Sequence, residues 1–279
     1  MEETAIQTLS AEIAKERQLE DRLRSLGSVI VAYSGGVDSA YLAFVAHRVL
    51  SDRMLAVTAV SPSLSGHQRE KAKSFAEQFS IPLELVESHE FEDGRYLANN
   101  PDRCYFCKGE LFGILKEMAG ARGFAAIAYG VNADDMRDFR PGHKAAVEAG
   151  AVGPLLDAGL TKAEIRRLSA GHGLPTSEDP ASPCLSSRVP FMEEIDLTKI
   201  RQIEAGEQLL REMGFPEMRL RHHGEVARIE VPVQDLQRLI DPAIRSTLSD
   251  GLHKLGFTWV TLDIDGFRSG SLSAEYRKK

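Results

Sequence analysis

Two groups of residues in this chain of 279 have types and spacings suited to chemistry. The first is Ser34-Gly35-Gly36-Val37-Asp38-Ser39, directly after the apolar run Val29-Ile30-Val31-Ala32-Tyr33. A strand that ends in two glycines and opens a helix makes a cradle for an anion of the pyrophosphate type. The glycines allow a tight turn and close backbone approach. The amides that start the helix then point at the anion, aided by the helix dipole. Ser34 and Ser39 add hydroxyl donors. Asp38 beside a polyanion makes sense with a cation such as Mg²⁺ between them. The loop lacks the lysine that a Walker A sequence sets before its Ser/Thr. The second group is thiols: Cys104-Tyr105-Phe106-Cys107, and Cys184 within Pro183-Cys184-Leu185-Ser186-Ser187-Arg188.

Cys-x-x-Cys brings two thiols close enough to hold one metal or cluster. Arg103, Lys108 and the start of the following helix favour thiolates there. A thioredoxin-type pair is a weak reading, because the motif follows a loop in the middle of a nucleotide-binding sheet. A zinc site would be two ligands short. An iron–sulfur site needs one or two further cysteines, and the chain has one, Cys184. Prolines on both sides restrict its loop and keep it out of a helix. Three thiols around a four-iron cluster leave one iron open, which suits sulfur handling better than electron transfer. The plain alternative is three isolated structural thiols. Against it, Cys104 and Cys107 stand in a polar stretch expected to be loop.

The elements that must position these groups alternate. A helix over 5–26 carries the stripe Ile6, Leu9, Ile13, Leu19, Leu23, Leu26, which reads as core or interface. Strands are expected at 28–33, 54–60, 83–87 and 125–129, and helices at 39–50, 67–79 and 108–122. This order predicts an α/β fold, a doubly wound parallel sheet. Ligands in such sheets sit at the carboxyl ends of the strands. The hexapeptide, Ser61 and Gly130-Val131-Asn132-Ala133-Asp134-Asp135 all fall at that edge. Asn132 and Asp135 suit ribose, metal or substrate, or else an Asx turn and a helix cap. Beyond 190 the pattern changes to a helix over 197–213, a hairpin turning at Gly224, a helix near 233–249 and a strand near 259–264. The expected domains are therefore 1–190, binding the nucleotide, and 191–279, a small α/β unit for substrate or oligomerisation.

Composition sets bounds. Hydrophobic residues are 43% and charged ones 27%, ordinary for a soluble globular chain. The net charge is 34 − 41 = −7, which argues against broad nucleic-acid binding. No apolar run approaches the ~20 residues that span a bilayer. The start, Met1-Glu2-Glu3-Thr4, lacks a signal-peptide layout. The cysteine count is odd and small, which does not suggest a disulfide framework. We expect a cytoplasmic homo-oligomer with no membrane or nucleic-acid partner.

The hexapeptide resembles the PP-loop of the ATP pyrophosphatases, which split ATP between the α and β phosphates and adenylate a substrate. The ordered set of Ser34–Ser39, 101–108, Gly130–Asp135, 138–142, Cys184–Arg188 and 219–231 resembles the LarE family over nearly the whole chain. These are ATP-dependent sulfur transferases that help make the nickel-pincer nucleotide cofactor of lactate racemase. The resemblance implies that ATP binds at Ser34, Gly35, Gly36, Asp38 and Ser39 and adenylates a carboxylate of a pyridinium dicarboxylate mononucleotide. Cys184, with Asp38 the catalytic candidate, then introduces sulfur, drawn ultimately from sulfide or another donor. In some members this cysteine surrenders its own sulfur and becomes dehydroalanine. In others three cysteines hold a 4Fe–4S cluster that carries an extra sulfide. With Cys at all three positions, Cys104, Cys107 and Cys184, the chain resembles the cluster-bearing branch. Arg188, Arg219, Arg221 and Arg268 are candidates for the substrate's phosphate and carboxylates, with a surface salt bridge the plain alternative for each. Glu207 and Glu230 could contribute to an acidic metal site, with a solvated face the preferred reading, and His222-His223 could bind metal but are read as structural or surface groups, because adjacent strand residues face opposite ways. Competing readings are a tRNA-thiolating PP-loop enzyme, an amide-forming PP-loop ligase and a non-catalytic ATP-binding sensor.

Overall fold

A computed structural model describes residues 2–137 and 141–268, with side chains from residue 10 onward and excepting that of residue 137. Asp138, Phe139 and Arg140 of the 138–142 segment, and the side chains of Ile6 and Leu9, lie outside this description. The chain divides into two compact units: residues 1–61, 66–90 and 104–179 form one, and 62–65, 91–103 and 180–279 the other. The chain thus passes between the units several times instead of once.

The first unit is built on a parallel sheet of strands β1 (Val29–Ala32), β2 (Met54–Val60), β3 (Leu83–Glu87) and β4 (Ala126–Tyr129), in the order β3-β2-β1-β4. Helices α1 (Glu2–Leu26), α2 (Val37–Leu50), α3 (Gly66–Gln78), α4 (Arg103–Arg122), α5 (Pro141–Glu148) and α6 (Lys162–Gly171) surround it. Successive strand residues face opposite ways. Val29 and Val31 accordingly enter one core with α1, α2, α3 and α6, while Ile30 enters a second with Leu111, Phe112 and Leu115 of α4. The doubly wound expectation holds, because both faces of the sheet are covered. Leu19 and Leu23 dock α1 and are fully buried, each such burial contributing about 1.5–3 kcal/mol. Ile13 is exposed, so the stripe is narrower than its period suggested.

The second unit carries helices α7 (Leu197–Glu212) and α8 (Pro242–Lys254) and a sheet of β5 (Arg219–His223), β6 (Val226–Glu230) and β7 (Trp259–Leu262). The hairpin β5–β6 is antiparallel and β7 joins β6 in parallel. Its turn needs Gly224, whose φ is 61°. The helix expected over 233–249 is broken. A short helical stretch ends by Leu239, and α8 begins afresh with Asp241 as N-cap, accepting from Ala243 N at 3.0 Å, and Pro242 in its first turn. Among the described residues no helix is long and apolar enough to cross a membrane.

Candidate functional site

The strand order reverses between β1 and β4, so the crevice for a ligand opens at their carboxyl ends. The Ser34–Ser39 loop follows β1 there. Gly35 has φ 74°, and a Cβ on it would meet the Ala72 Cβ at 2.9 Å. No side chain caps α2 at Gly36, which leaves the first-turn amides for an anion. The hydroxyls of Ser34 and Ser39 lie 3.0 Å apart, and Ser39 Oγ also accepts from Ser34 N and donates to Gly36 O. These hydroxyls therefore shape the loop before they meet any ligand. Ser61 follows β2, the strand beside β1.

Gly130 follows β4 and brings its chain against the loop. A Cβ there would lie 2.9 Å from Ser39 N and 3.1 Å from Asp38 C. The next turn is an Asx turn: Asn132 Oδ1 accepts from Asp134 N at 2.9 Å, and Asp135 Oδ2 accepts from Asn132 N at 3.1 Å. The local alternative foreseen for Asn132 and Asp135 is thus present. This turn holds a residue that sequence reasoning passed over. Asp134 Oδ2 accepts from Lys162 N at 2.8 Å, and Lys162 Nζ donates to Asp38 Oδ2 at 2.6 Å.

Lys162 stands in the first turn of α6, where a cation opposes the helix dipole. A capping box of Thr161 and Glu164 fixes that turn, and Lys15 of α1 braces it from Nζ to Glu164 Oε1 at 2.7 Å and Gly159 O at 2.8 Å. Burial pushes the Asp38 carboxyl above the usual carboxylate range; Lys162 opposes the rise and Asp135 adds to it. The Asn132 amide also favours the charged form, although no hydrogen bond of ordinary geometry reaches the buried Oδ1. A buried carboxylate oxygen without a hydrogen-bond partner, in the first turn of the helix that the anion cradle opens, fits Mg²⁺, which takes one or two carboxylates and completes its shell with phosphate and water. Asp38 Oδ1 is the atom that would hold it.

Cys104 and Cys107 are on the first turns of α4, which begins about one turn earlier than expected and takes the motif out of the loop. Their spacing of three puts them on one helix face. Cys104 is exposed and Cys107 half-buried. Cys184 is half-buried in the second unit and precedes a 3₁₀ turn, Leu185–Arg188. Among the described residues no three His, Cys, Asp or Glu side chains gather as a metal-holding group.

The second unit also holds the arginines. Arg188 is 3% exposed. Its Nε and Nη2 donate to Glu207 at 2.8 and 3.0 Å, and Nη1 donates to Pro183 O at 2.6 Å and Cys184 O at 3.0 Å. Arg221 is buried and donates to Glu230 at 2.7 Å and Ser187 O at 3.0 Å. Glu207 and Glu230, expected to be solvated, are 4% and 0% exposed. Both are the anions of buried pairs: Glu207 with Arg188 on the Cys184 segment, and Glu230 with Arg221 across the β5–β6 hairpin. Arg219 is buried beneath the ring of Phe267, donates to Ala181 O at 2.5 Å, and has no carboxylate within ion-pair distance among the described residues. Burial and the neighbouring Arg188 lower its pKa to about 10. Arg268 is exposed and paired with Asp265 at 3.0 Å. His222 is buried and His223 half-buried beside Arg228, in agreement with structural roles.

The sheet order, the uncapped helix after Ser-Gly-Gly-x-Asp-Ser and the crevice beside β4 define a PP-loop, ATP-dependent enzyme. The family model described as NAD synthase matches residues 13–95. The chain is 35% identical over 260 residues, 93% of its length and 94% of the relative's, to the pyridinium-3,5-bisthiocarboxylic acid mononucleotide synthase of Lactiplantibacillus plantarum. It is 41% identical, over 93% and 97% of the two chains, to the uncharacterized protein slr1717 of Synechocystis. It is 27% identical, over 86% and 91% of the two chains, to the uncharacterized protein MJ0830 of Methanocaldococcus jannaschii. The chain belongs to the LarE family, that of the Lactiplantibacillus synthase.

Proposed function

We propose that this enzyme adenylates a carboxylate of a pyridinium dicarboxylate mononucleotide and replaces one of its oxygens with sulfur. The observation that carries the reading is that one chain joins the PP-loop cradle, with its Asp38–Lys162 pair, to a cysteine whose own carbonyl is gripped by a buried arginine. A substrate carboxylate oxygen attacks the α-phosphorus of ATP and pyrophosphate leaves. The loop amides and Lys162 stabilise the charge that develops on the phosphates. Mg²⁺, when bound at Asp38, neutralises phosphate charge. Cys184, having lost its proton, attacks the acyl carbon and AMP leaves, because an adenylate is a far better leaving group than an oxide. Arg219 suits the substrate's phosphate.

Release of sulfur from the Cys184 thioester has a balanced route within this chain. A base removes the Cα proton of Cys184, the Cβ–S bond breaks, thiocarboxylate departs and dehydroalanine remains. The alternative, a 4Fe–4S cluster on Cys104, Cys107 and Cys184, rests on the family resemblance; the described side chains do not form a three-ligand group. Each route has its own readout. Mass spectrometry of the peptide holding Cys184 after turnover finds dehydroalanine in the first. In the second, anaerobic reconstitution yields about four iron per chain, lost in Cys104→Ser.

The reading as a whole is tested with purified protein, ATP, Mg²⁺ and the pyridinium dicarboxylate mononucleotide. Pyrophosphate release together with a product bearing sulfur in place of oxygen supports it. Ammonium-dependent amide formation would instead indicate a ligase. Cys184→Ala is expected to release pyrophosphate and make no thiocarboxylate.

A further inference from the structure

We propose that Arg103 is a positioning residue for the sulfur-transfer step, holding the loop that follows Cys184 in register; this rests on the function proposed above. Every contact in the argument lies within the second unit. The Arg103 guanidinium is 5% exposed. It donates from Nη1 to Ser186 O at 2.9 Å and to the side-chain oxygen of Asn99, and its carbon lies 5.6 Å from the centre of the Phe191 ring. Ser186 is two residues beyond Cys184. Tyr96, also buried, shares a 2.6 Å hydrogen bond between its hydroxyl and Ser186 Oγ.

Asn99 completes the frame. It is fully buried with φ 53°, a left-handed conformation that Asn tolerates better than most residues. Its amide nitrogen donates to Pro190 O at 2.7 Å and Glu193 O at 2.9 Å, while its backbone oxygen accepts from Met192 N at 3.1 Å. Proline lacks an amide donor, and the local turns of this loop, such as Ser187 N to Cys184 O at 3.0 Å and Val189 N to Ser186 O at 3.2 Å, leave carbonyl lone pairs for buried side-chain donors. Arg188 supplies those donors for Pro183 and Cys184, and Arg103 and Asn99 supply them from Ser186 onward.

Arg103 differs from the other members of this frame through its place in the chain. It is the first residue of α4, whose next residue is Cys104. Arg103 thus directly precedes Cys104 in the chain, while its guanidinium is hydrogen-bonded to Ser186 O, two residues beyond Cys184. Shifts of about 1 Å at a nucleophile slow a reaction about a hundredfold, and the guanidinium is where such a shift is resisted.

The test compares Arg103→Met, Arg103→Lys and Tyr96→Phe with the wild type in two partial reactions and in hydrogen exchange. Arg103→Met is expected to keep pyrophosphate release within about twofold and to slow thiocarboxylate formation about a hundredfold. Arg103→Lys, which still donates to one carbonyl, recovers part of the loss. Amides in 184–195 are expected to exchange at least about tenfold faster in Arg103→Met, with those of 29–50 unchanged. Equal loss of both partial reactions, or unaltered thiocarboxylate formation, overturns the proposal. If the wild type forms no thiocarboxylate, the functional reading fails by itself, and unchanged exchange over 184–195 overturns the positioning role separately. Should Arg103→Met fail to fold, Arg103→Lys and Tyr96→Phe carry the same comparison.

Discussion

Lys162 Nζ lies 2.6 Å from Asp38 Oδ2, a contact spanning 124 residues of sequence. It joins α2, the helix after β1, to the start of α6, and it places a cation at the anion cradle. Lys162→Met removes that cation and leaves Asp38 facing Asp135, the residue that already raises its pKa. Pyrophosphate release is expected to fall about a hundredfold, the scale of losing one preorganised charge-stabilising donor. Lys162→Arg should restore part of it. Steady-state pyrophosphate assays with ATP titration measure both.

The two glycines flanking Asp38 in space are not equivalent. A Cβ on Gly130 meets backbone atoms of Ser39 and Asp38 at 2.9–3.1 Å, whereas one on Gly36 meets only Ser34 Oγ at 3.6 Å. Gly130→Ala is expected to destabilise the protein by about 1–3 kcal/mol through overpacking, and to weaken ATP binding. Gly36→Ala is expected to melt within a few degrees of the wild type. Thermal unfolding with and without ATP separates them.

The Arg188–Glu207 pair is buried on both sides. Arg188→Met strands a carboxylate that also accepts from Leu220 N, and is expected to cost about 3–5 kcal/mol in urea unfolding. Replacing both partners, Arg188→Met with Glu207→Leu, should recover much of this, because no uncompensated charge remains.

His222 supplies a pH dependence. Its Nε2 lies 3.0 Å from Gln202 Oε1 and donates to it, which leaves Nδ1 as a buried acceptor without a partner. Burial first, then Lys199, lowers its pKa below the ordinary 6.5. The unfolded chain therefore binds the proton more readily, and stability rises with pH while only the unfolded state is protonated. The contribution is complete above about 6.5, the unfolded value, and is lost as pH falls toward the lower folded one. His222→Leu should flatten the acid side of a urea-midpoint profile. An unchanged slope would assign it to other groups.

Much of the fold was legible in the sequence because its signals are local. Strand, hexapeptide and helix occur in order, and the hairpin turns at Gly224. The break at Asp241-Pro242 was equally local, an N-cap followed by a first-turn proline, yet the apolar period was read through it. The motif Thr161-x-x-Glu164 spelled a capping box and could have placed Lys162 at a helix start. Nothing near Lys162 could have named Asp38 as its partner.

By itself the sequence determined the alternation of strands and helices that makes a parallel sheet, the Ser34–Ser39 turn after β1 and, through motifs in order along nearly the whole chain, the family. Tertiary structure alone decided which charges face one another and which are buried. Glu207 and Glu230 look solvated until the fold buries them against Arg188, 19 residues away, and Arg221, across the hairpin. Arg103 looks like a neighbour of Cys104 until its guanidinium is found on Ser186. The reason is physical: propensity, capping and turn geometry act over a few residues, whereas desolvation and ion pairing depend on what the folded chain brings within a few ångströms.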